Sequence, residues 1–132
     1  MNRRVWTTLL LLPLLAQHPT LPQPNRNGDY PLRTGHRTWV VVDPDVKGLN
    51  CRWFPQAPKA WYSPMAHWPP TDIRHWPVVR RFPRGTVLRA NLAPAGFAMI
   101  PDNRGLPWLK VALGKDEQIC LVRANRRFIR PR

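Results

Sequence analysis

The last two-thirds of the chain carries an ordered series of short β-strand patterns with turn residues between them. The runs are rich in apolar or β-branched residues, which alternate with polar ones in several of them, and glycine, proline or aspartate lies between successive runs. The runs cover residues 39–43, 48–52, 76–88, 95–100, 107–113 and 119–123. Short strands at this spacing are typical of a small all-β sandwich or barrel. We therefore predict one all-β domain over residues 38–132.

The N-terminus has the pattern of an export signal. Arg3 and Arg4 precede an apolar stretch, residues 5–15, which is shorter than the roughly 20 residues that cross a membrane. The small residue Ala16 offers a cleavage position, so we predict a signal peptide over residues 1–16 and export to the periplasm or the medium. Once it is removed, no transmembrane segment is expected. An uncleaved N-terminal anchor and a twin-arginine signal are the alternatives.

Residues 17–37 have the composition of a linker. The segment from Gln17 to Asp29 contains three prolines and no hydrophobic period. Such a stretch has little to bury, so we predict a disordered or extended Pro-rich linker, with folded structure starting near Trp39.

The chain contains two cysteines, Cys51 and Cys120, each within a predicted strand. An even number of cysteines in an exported chain favours a disulfide, since oxidising compartments preserve such bonds. Neither a C-x-x-C spacing nor a neighbouring histidine supports the alternative of a reactive thiol pair. We predict a structural Cys51–Cys120 disulfide between strands at opposite ends of the domain.

Residues 53–77 interrupt the strand pattern with many prolines and aromatic residues. The prolines forbid a long helix, so we predict an insertion loop. Its aromatic rings either pin the loop to the domain or stack on a ligand, at little entropic cost. The candidate binding aromatics are Trp61, Tyr62, Trp68 and Trp76.

Four segments, in this order, resemble the bacterial SH3-like (SH3b) domain. They are Gly48-Leu-Asn-Cys-Arg52, residues 77–88 with Phe82-Pro-Arg-Gly85-Thr86, Trp108-Leu-Lys-Val111, and residues 121–129. The resemblance covers about residues 39–131, and it implies a small SH3-like β-barrel. The paired cysteines resemble a secreted, cyanobacterial type of small SH3-like protein.

The chain departs from that family in two places. The loop over residues 53–77 is longer and richer in tryptophan, and Ile119-Cys120 stands where the family usually has Gly-Trp. Members of the family commonly bind cell-wall peptides or direct an attached enzyme to the wall. The resemblance therefore implies a monomeric module that binds a cell-wall peptide or glycan.

Basic residues greatly outnumber acidic ones. The formal net charge is +14, and loss of Arg3 and Arg4 with the signal lowers it to +12. Within the domain the arginines form two sequence clusters, of which Arg80, Arg81, Arg126 and Arg127 are candidate ligand contacts. The first cluster also holds Arg84 and Arg89, and the second also holds Arg123, Arg130 and Arg132.

This charge attracts polyanions without specificity, so a nonspecific binder of anionic envelope polymers or of a membrane surface is the second hypothesis. A solvated basic surface with no partner is the alternative reading of the same residues. Export argues against nucleic acid as the partner.

A small secreted hydrolase is the third hypothesis, and it would need His67 or His75 beside a carboxylate such as Asp72. These three residues have no recognisable metal-ligand spacing, and the chain has no nucleophile-elbow motif and no phosphate-binding glycine loop. We therefore predict a protein that is not an enzyme and that uses no metal and no cofactor.

Overall fold

A computed structural model describes residues 20–54, 71–93, 95–114 and 118–132, together with Thr7. Almost all regular structure in these ranges is β, as predicted. One 3-10 turn, Ile73–His75, precedes the third strand. The eight described strands are β1 (Thr38–Val41), β2 (Leu49–Arg52), β3 (Val78–Phe82), β4 (Val87–Arg89), β5 (Met99–Pro101), β6 (Pro107–Ala112), β7 (Ile119–Arg123) and β8 (Ile129–Pro131).

The strands form two antiparallel sheets. One has five strands in the order β3-β2-β7-β6-β5, and the other has three in the order β4-β1-β8. An isolated antiparallel bridge between Ala90, just after β4, and Val111 in β6 connects them.

Alternation along the strands decides which side chains enter the core. Trp39 and Val41 in β1 are fully buried, whereas Thr38 and Val40 are partly exposed. The same alternation in β2 turns Leu49 and Cys51 inward. A first core cluster lies between the sheets, and it also includes Leu88, Leu109, Val122 and Ile129.

A second apolar cluster covers the other face of β6 and β7. It consists of Ile73, Ile100, Trp108, Ile119 and Leu121. Leu109 and Val111 point to the first cluster, while their neighbour Trp108 points to the second. The segment before β3 therefore covers one face of the five-stranded sheet, and Trp108 is a core residue.

The predicted disulfide is present. Cys51 in β2 and Cys120 in β7 are bonded, with their Cα atoms 5.4 Å apart, and both are fully buried. β2 and β7 are neighbours through the pairing of Arg52 with Leu121. This pairing joins two strands that are distant in sequence.

Residues 25–30 are ordered and packed, whereas the composition of 17–37 predicts a disordered linker. Tyr30 is 4% exposed in the first core cluster, and its hydroxyl donates to Ile129 O at 3.0 Å. Asp29 forms a bridge with Asn125. The folded unit therefore begins before Trp39, since Tyr30 supplies an apolar ring that the core buries.

The strand predicted over residues 95–100 is shorter and later than expected, because β5 covers Met99–Pro101. Gly96 has φ +82°, a conformation that belongs to a turn, and Phe97 beside it is exposed. Gly48 and Gly85 each lie in a turn before a strand, and both have φ +89°. At Gly48 a Cβ atom would lie 2.8 Å from Phe82 O, so only glycine fits there.

Asp102 holds the turn between β5 and β6. Its carboxylate accepts hydrogen bonds from the backbone N–H groups of Arg104 and Leu106 and from Trp108 Nε1. Burial raises the pKa of Asp102, but these hydrogen bonds and the Arg104 charge outweigh it and hold the pKa below its usual value. The turn thereby fixes the Trp108 ring in the second cluster.

Candidate functional site

The predicted ligand contacts Arg80 and Arg81 lie on an exposed sheet edge. Within the described residues β3 pairs with β2 and with no other strand, so it forms one edge of the five-stranded sheet. Val79, Arg80 and Arg81 are all exposed. The register shifts between Cys51 and Arg52, which marks a bulge of the kind common at sheet edges.

A group of aromatic side chains stands directly before this edge. The Trp76 ring contacts the rings of Trp53 and Phe54, with both pairs of centroids 5.9 Å apart. Trp53 and Trp76 also pack against the second core cluster, and all three rings are partly exposed. We call Trp53, Phe54 and Trp76 the aromatic group. Trp76 therefore fixes the chain to the sheet and still offers ring surface.

Hydrogen bonds tie the aromatic group and β3 to β2. Trp53 N–H donates to Pro77 O at 3.0 Å, and Arg52 Nη1 donates to Trp76 O at 2.8 Å. Arg81 Nε donates to Asn50 Oδ1 at 3.1 Å. Burial lowers the pKa of Arg52, although a guanidinium stays protonated at neutral pH. The aromatic group and Arg81 are thus both bonded to β2, while Arg80, which lies opposite Cys51, is on the other face of the same edge.

The remaining predicted contacts lie elsewhere. Trp61, Tyr62 and Trp68 fall outside the described residues. Arg126 and Arg127 are exposed in the connection between β7 and β8, where Arg126 N–H donates to Gly28 O. The structure therefore brings Trp76, Arg80 and Arg81 together on one chain segment and places the Arg126–Arg127 pair on another.

The described carboxylates leave most of the arginines without an acidic partner. Three of them form ion pairs: Asp29 with Arg123, Asp72 with Arg74 and His75, and Asp102 with Arg104. Within the described residues, none of these pairs involves Arg80, Arg81, Arg126 or Arg127. The positive charge at these positions is thus available to an anionic ligand.

Two arginines that the sequence places in different clusters share one face of the three-stranded sheet. β1 pairs with both β4 and β8, so Thr38 lies opposite Arg89, and Val40 lies opposite Arg130. Arg132 N–H donates to Thr38 O at 2.9 Å. Arg89, Arg130 and Arg132 are exposed there. Alternation after buried Leu88 places Arg89 outward, but only the pairing of β1 with β8 places Arg130 on the same face, one strand away from β4.

His75 has the carboxylate neighbour that the hydrolase hypothesis requires. Its Nδ1 atom lies 2.5 Å from Asp72 Oδ2, and Asp72 also accepts a hydrogen bond from Arg74 Nε. The His75 side chain is 70% exposed on the 3-10 turn. Across the described ranges no group of three or more His, Cys, Asp or Glu side chains is placed to hold a metal ion. His67 lies outside those ranges.

Lys110 is a buried lysine that sequence reasoning did not single out. It is 4% exposed in β6, and its ammonium donates a hydrogen bond to Ala93 O. Burial lowers its pKa from 10.5 to about 8. The charged form is therefore tolerated at a cost to stability, because a neutral amine is easier to bury.

We expect the protein to become more stable as the pH rises from 8 towards 10. In this interval the unfolded chain keeps the Lys110 proton that the folded chain releases, so stability increases with pH. The unfolding temperature should rise on the order of 5 °C between pH 7.5 and 9.5, measured by circular dichroism. In Lys110→Met the rise should be absent; a rise of the same size in that variant would assign the effect to another group.

Comparison of the chain with protein-family models, with curated proteins and with solved structures finds no match. Among the described residues, no helix has the length and apolar character needed to cross a membrane.

Proposed function

We propose that the chain is an exported, monomeric SH3-like module that binds a peptide or glycan of the cell envelope without catalysing a reaction. The two antiparallel sheets and the Ala90–Val111 bridge between them support a small SH3-like barrel. The buried Cys51–Cys120 disulfide supports export, since such bonds persist in oxidising compartments.

The β3 edge with its paired arginines carries the proposal. An extended peptide can add a strand to an exposed sheet edge, and its main-chain groups then pair with those of the edge strand. Arg80 and Arg81 would bind carboxylates of the ligand, because a guanidinium binds a carboxylate through two parallel hydrogen bonds. The aromatic group beside them would contact the apolar or sugar part of the ligand.

Cosedimentation with purified peptidoglycan sacculi tests this function. We expect the oxidised protein to remain bound at about 0.5 M salt, where screening acts within a few Å. Arg80→Ser/Arg81→Ser should lower the bound fraction at least about fivefold, because two charge-assisted contacts are lost. Arg126→Ser/Arg127→Ser removes the same charge from another segment and should retain most of the binding.

Nonspecific polyanion binding is the second proposal, and the arginines on the β4-β1-β8 face favour it. Arg89, Arg130 and Arg132 face solvent without an acidic partner among the described residues. Such binding depends on counterion release and falls steeply with salt. Loss of all cosedimentation at about 0.5 M salt, with equal losses in the two double variants at low salt, would favour this function.

Hydrolysis is the third proposal, and the Asp72–His75 contact is the observation that favours it. A carboxylate at Nδ1 orients an imidazole so that Nε2 can act as a base. Release of soluble fragments from the sacculi that stops in His75→Ala would replace the binding proposals with this one.

A further inference from the structure

A groove of about 650 Å³ opens where the chain enters β1. Residues 33–38 supply most of its lining, and Thr20, Pro22 and Pro31 supply the rest. The described lining includes two arginines and no acidic residue. We call this feature the arginine groove. Its charge and its threonine hydroxyls suit an oxyanion ligand.

The backbone that carries these arginines is held on several sides. Thr34 O accepts a hydrogen bond from Ala98 N at 2.8 Å, and Arg37 O accepts one from Ala90 N at 2.7 Å. His36 O accepts one from Trp39 Nε1 at 2.9 Å. The first two bonds reach segments beside β5 and β4, and the third is local, so the wall of the groove is fixed before any ligand arrives. Preorganisation of this kind reduces the entropy lost on binding.

Both groove arginines are available to a ligand. Arg33 and Arg37 are exposed, and neither forms an ion pair with a carboxylate in the described part of the chain. The guanidinium group is the side chain best suited to phosphate and carboxylate oxygens, because it donates two parallel hydrogen bonds.

The positive surface continues from the groove onto the three-stranded sheet. Thr38 lines the groove and also lies between Arg89 on β4 and Arg132 after β8. Neighbouring strands are about 4.8 Å apart, so the Cα atoms of these two arginines are separated by about 10 Å. Arginines spaced along a surface in this way suit a ligand that carries several negative charges in a row. The groove is also far larger than one phosphate group.

We propose that the arginine groove and the adjoining Arg89 and Arg132 bind a linear chain of phosphate groups that carries no bases. A nucleic acid is disfavoured because no Trp, Tyr or Phe lines the groove in the described residues, and single-stranded nucleic acids need such rings for base stacking. The groove lies beside β1, on a different sheet from the β3 edge. Phosphate-chain binding is therefore tested independently of the envelope function.

Calorimetric titration of the oxidised protein with tripolyphosphate and with inorganic phosphate tests the proposal. At about 0.1 M salt, where the screening length is about 10 Å, tripolyphosphate should bind at least about tenfold more tightly than inorganic phosphate. Arg33→Ser/Arg37→Ser should weaken tripolyphosphate binding about tenfold or more, since two charge-assisted contacts are lost. Arg126→Ser/Arg127→Ser has the same net charge and should weaken it less than about threefold.

Equal weakening in the two double variants would overturn the proposal, because net charge alone would then explain binding. A thymidine oligonucleotide that binds more tightly than tripolyphosphate and is weakened at least as much by Arg33→Ser/Arg37→Ser would also overturn it, because the groove would then prefer a nucleic acid. Nuclear magnetic resonance of the unaltered protein gives a readout that no substitution disturbs. Tripolyphosphate should shift the backbone amide resonances of residues 33–38. Chemical-shift changes confined to other residues would contradict the proposed site.

Discussion

Loss of the Cys51–Cys120 disulfide should lower the free energy of unfolding by about 4 kcal/mol. The bond links positions 69 residues apart, so it removes many conformations from the unfolded chain. Small domains are stable by only about 5–15 kcal/mol, and the reduced protein should therefore lie close to its unfolding threshold.

Urea unfolding of three forms measures this effect. The oxidised protein is compared with the reduced protein, which keeps every side chain, and with Cys51→Ala/Cys120→Ala, which cannot reoxidise. We expect both altered forms to unfold at much lower urea. They should also show a steeper dependence on urea, because an unlinked chain exposes more surface. A loss below about 1 kcal/mol in the reduced protein would mean that the bond does little to restrict the unfolded chain.

The fold follows from local sequence patterns where burial alternates along a strand. The runs at 39–43, 48–52 and 119–123 predict β1, β2 and β7 to within a few residues, because one face of each strand meets the core. The segment 95–100 misleads because its apolar residues include Gly96, whose positive φ makes a turn. A single glycine with a positive φ can therefore place a turn within an apolar run that would otherwise predict a strand.

Strand pairing between distant segments cannot be read from local patterns. The even number of cysteines predicts the disulfide, but the pairing of β2 with β7 that brings the two residues together joins opposite ends of the domain sequence. The burial of Tyr30 also depends on a contact between distant segments, since its hydrogen-bond partner Ile129 is 99 positions away.

The local sequence likewise predicts some residues of the candidate site correctly and misleads about others. Arg80 and Arg81 are adjacent in sequence and stay together on the β3 edge. Arg123, which sequence places in the second basic cluster, is instead withdrawn from the surface by its contact with Asp29. The sequence around Arg123 does not predict this contact, because the carboxylate that binds it lies in the N-terminal segment.

Replacing Asp29 with alanine should destabilise the protein by about 3–5 kcal/mol, the usual effect of removing one member of a buried ion pair. Asp29 Oδ1 accepts hydrogen bonds from Arg123 Nη2 at 2.6 Å and from Asn125 Nδ2 at 2.9 Å. The side chains of Asp29 and Arg123 are 8% and 18% exposed. Without the carboxylate, the Arg123 charge stays largely buried, and among the described residues it keeps its bond to Pro107 O alone.

Thermal and urea unfolding of Asp29→Ala measure this loss, and Asp45→Ala is the matched control. Asp45 is exposed and accepts a hydrogen bond from the Lys47 backbone, so its removal deletes the same charge at a cost within about 1 kcal/mol. Asp29→Leu/Arg123→Leu should recover part of the stability, because neither charge is then left unpaired.

The Asp29 result also decides where the folded unit begins. A loss of several kcal/mol, with faster proteolysis near residue 30, would place residues 25–30 inside the cooperative unit with β7 and β8. If Asp29→Ala and Asp45→Ala were equally mild, the N-terminal segment would detach without unfolding the sheets, as its linker-like composition predicts. The groove wall at residues 33–38 would keep its bonds to Ala90, Ala98 and Arg132, but the groove would lose the part of its lining that comes from Thr20 and Pro22.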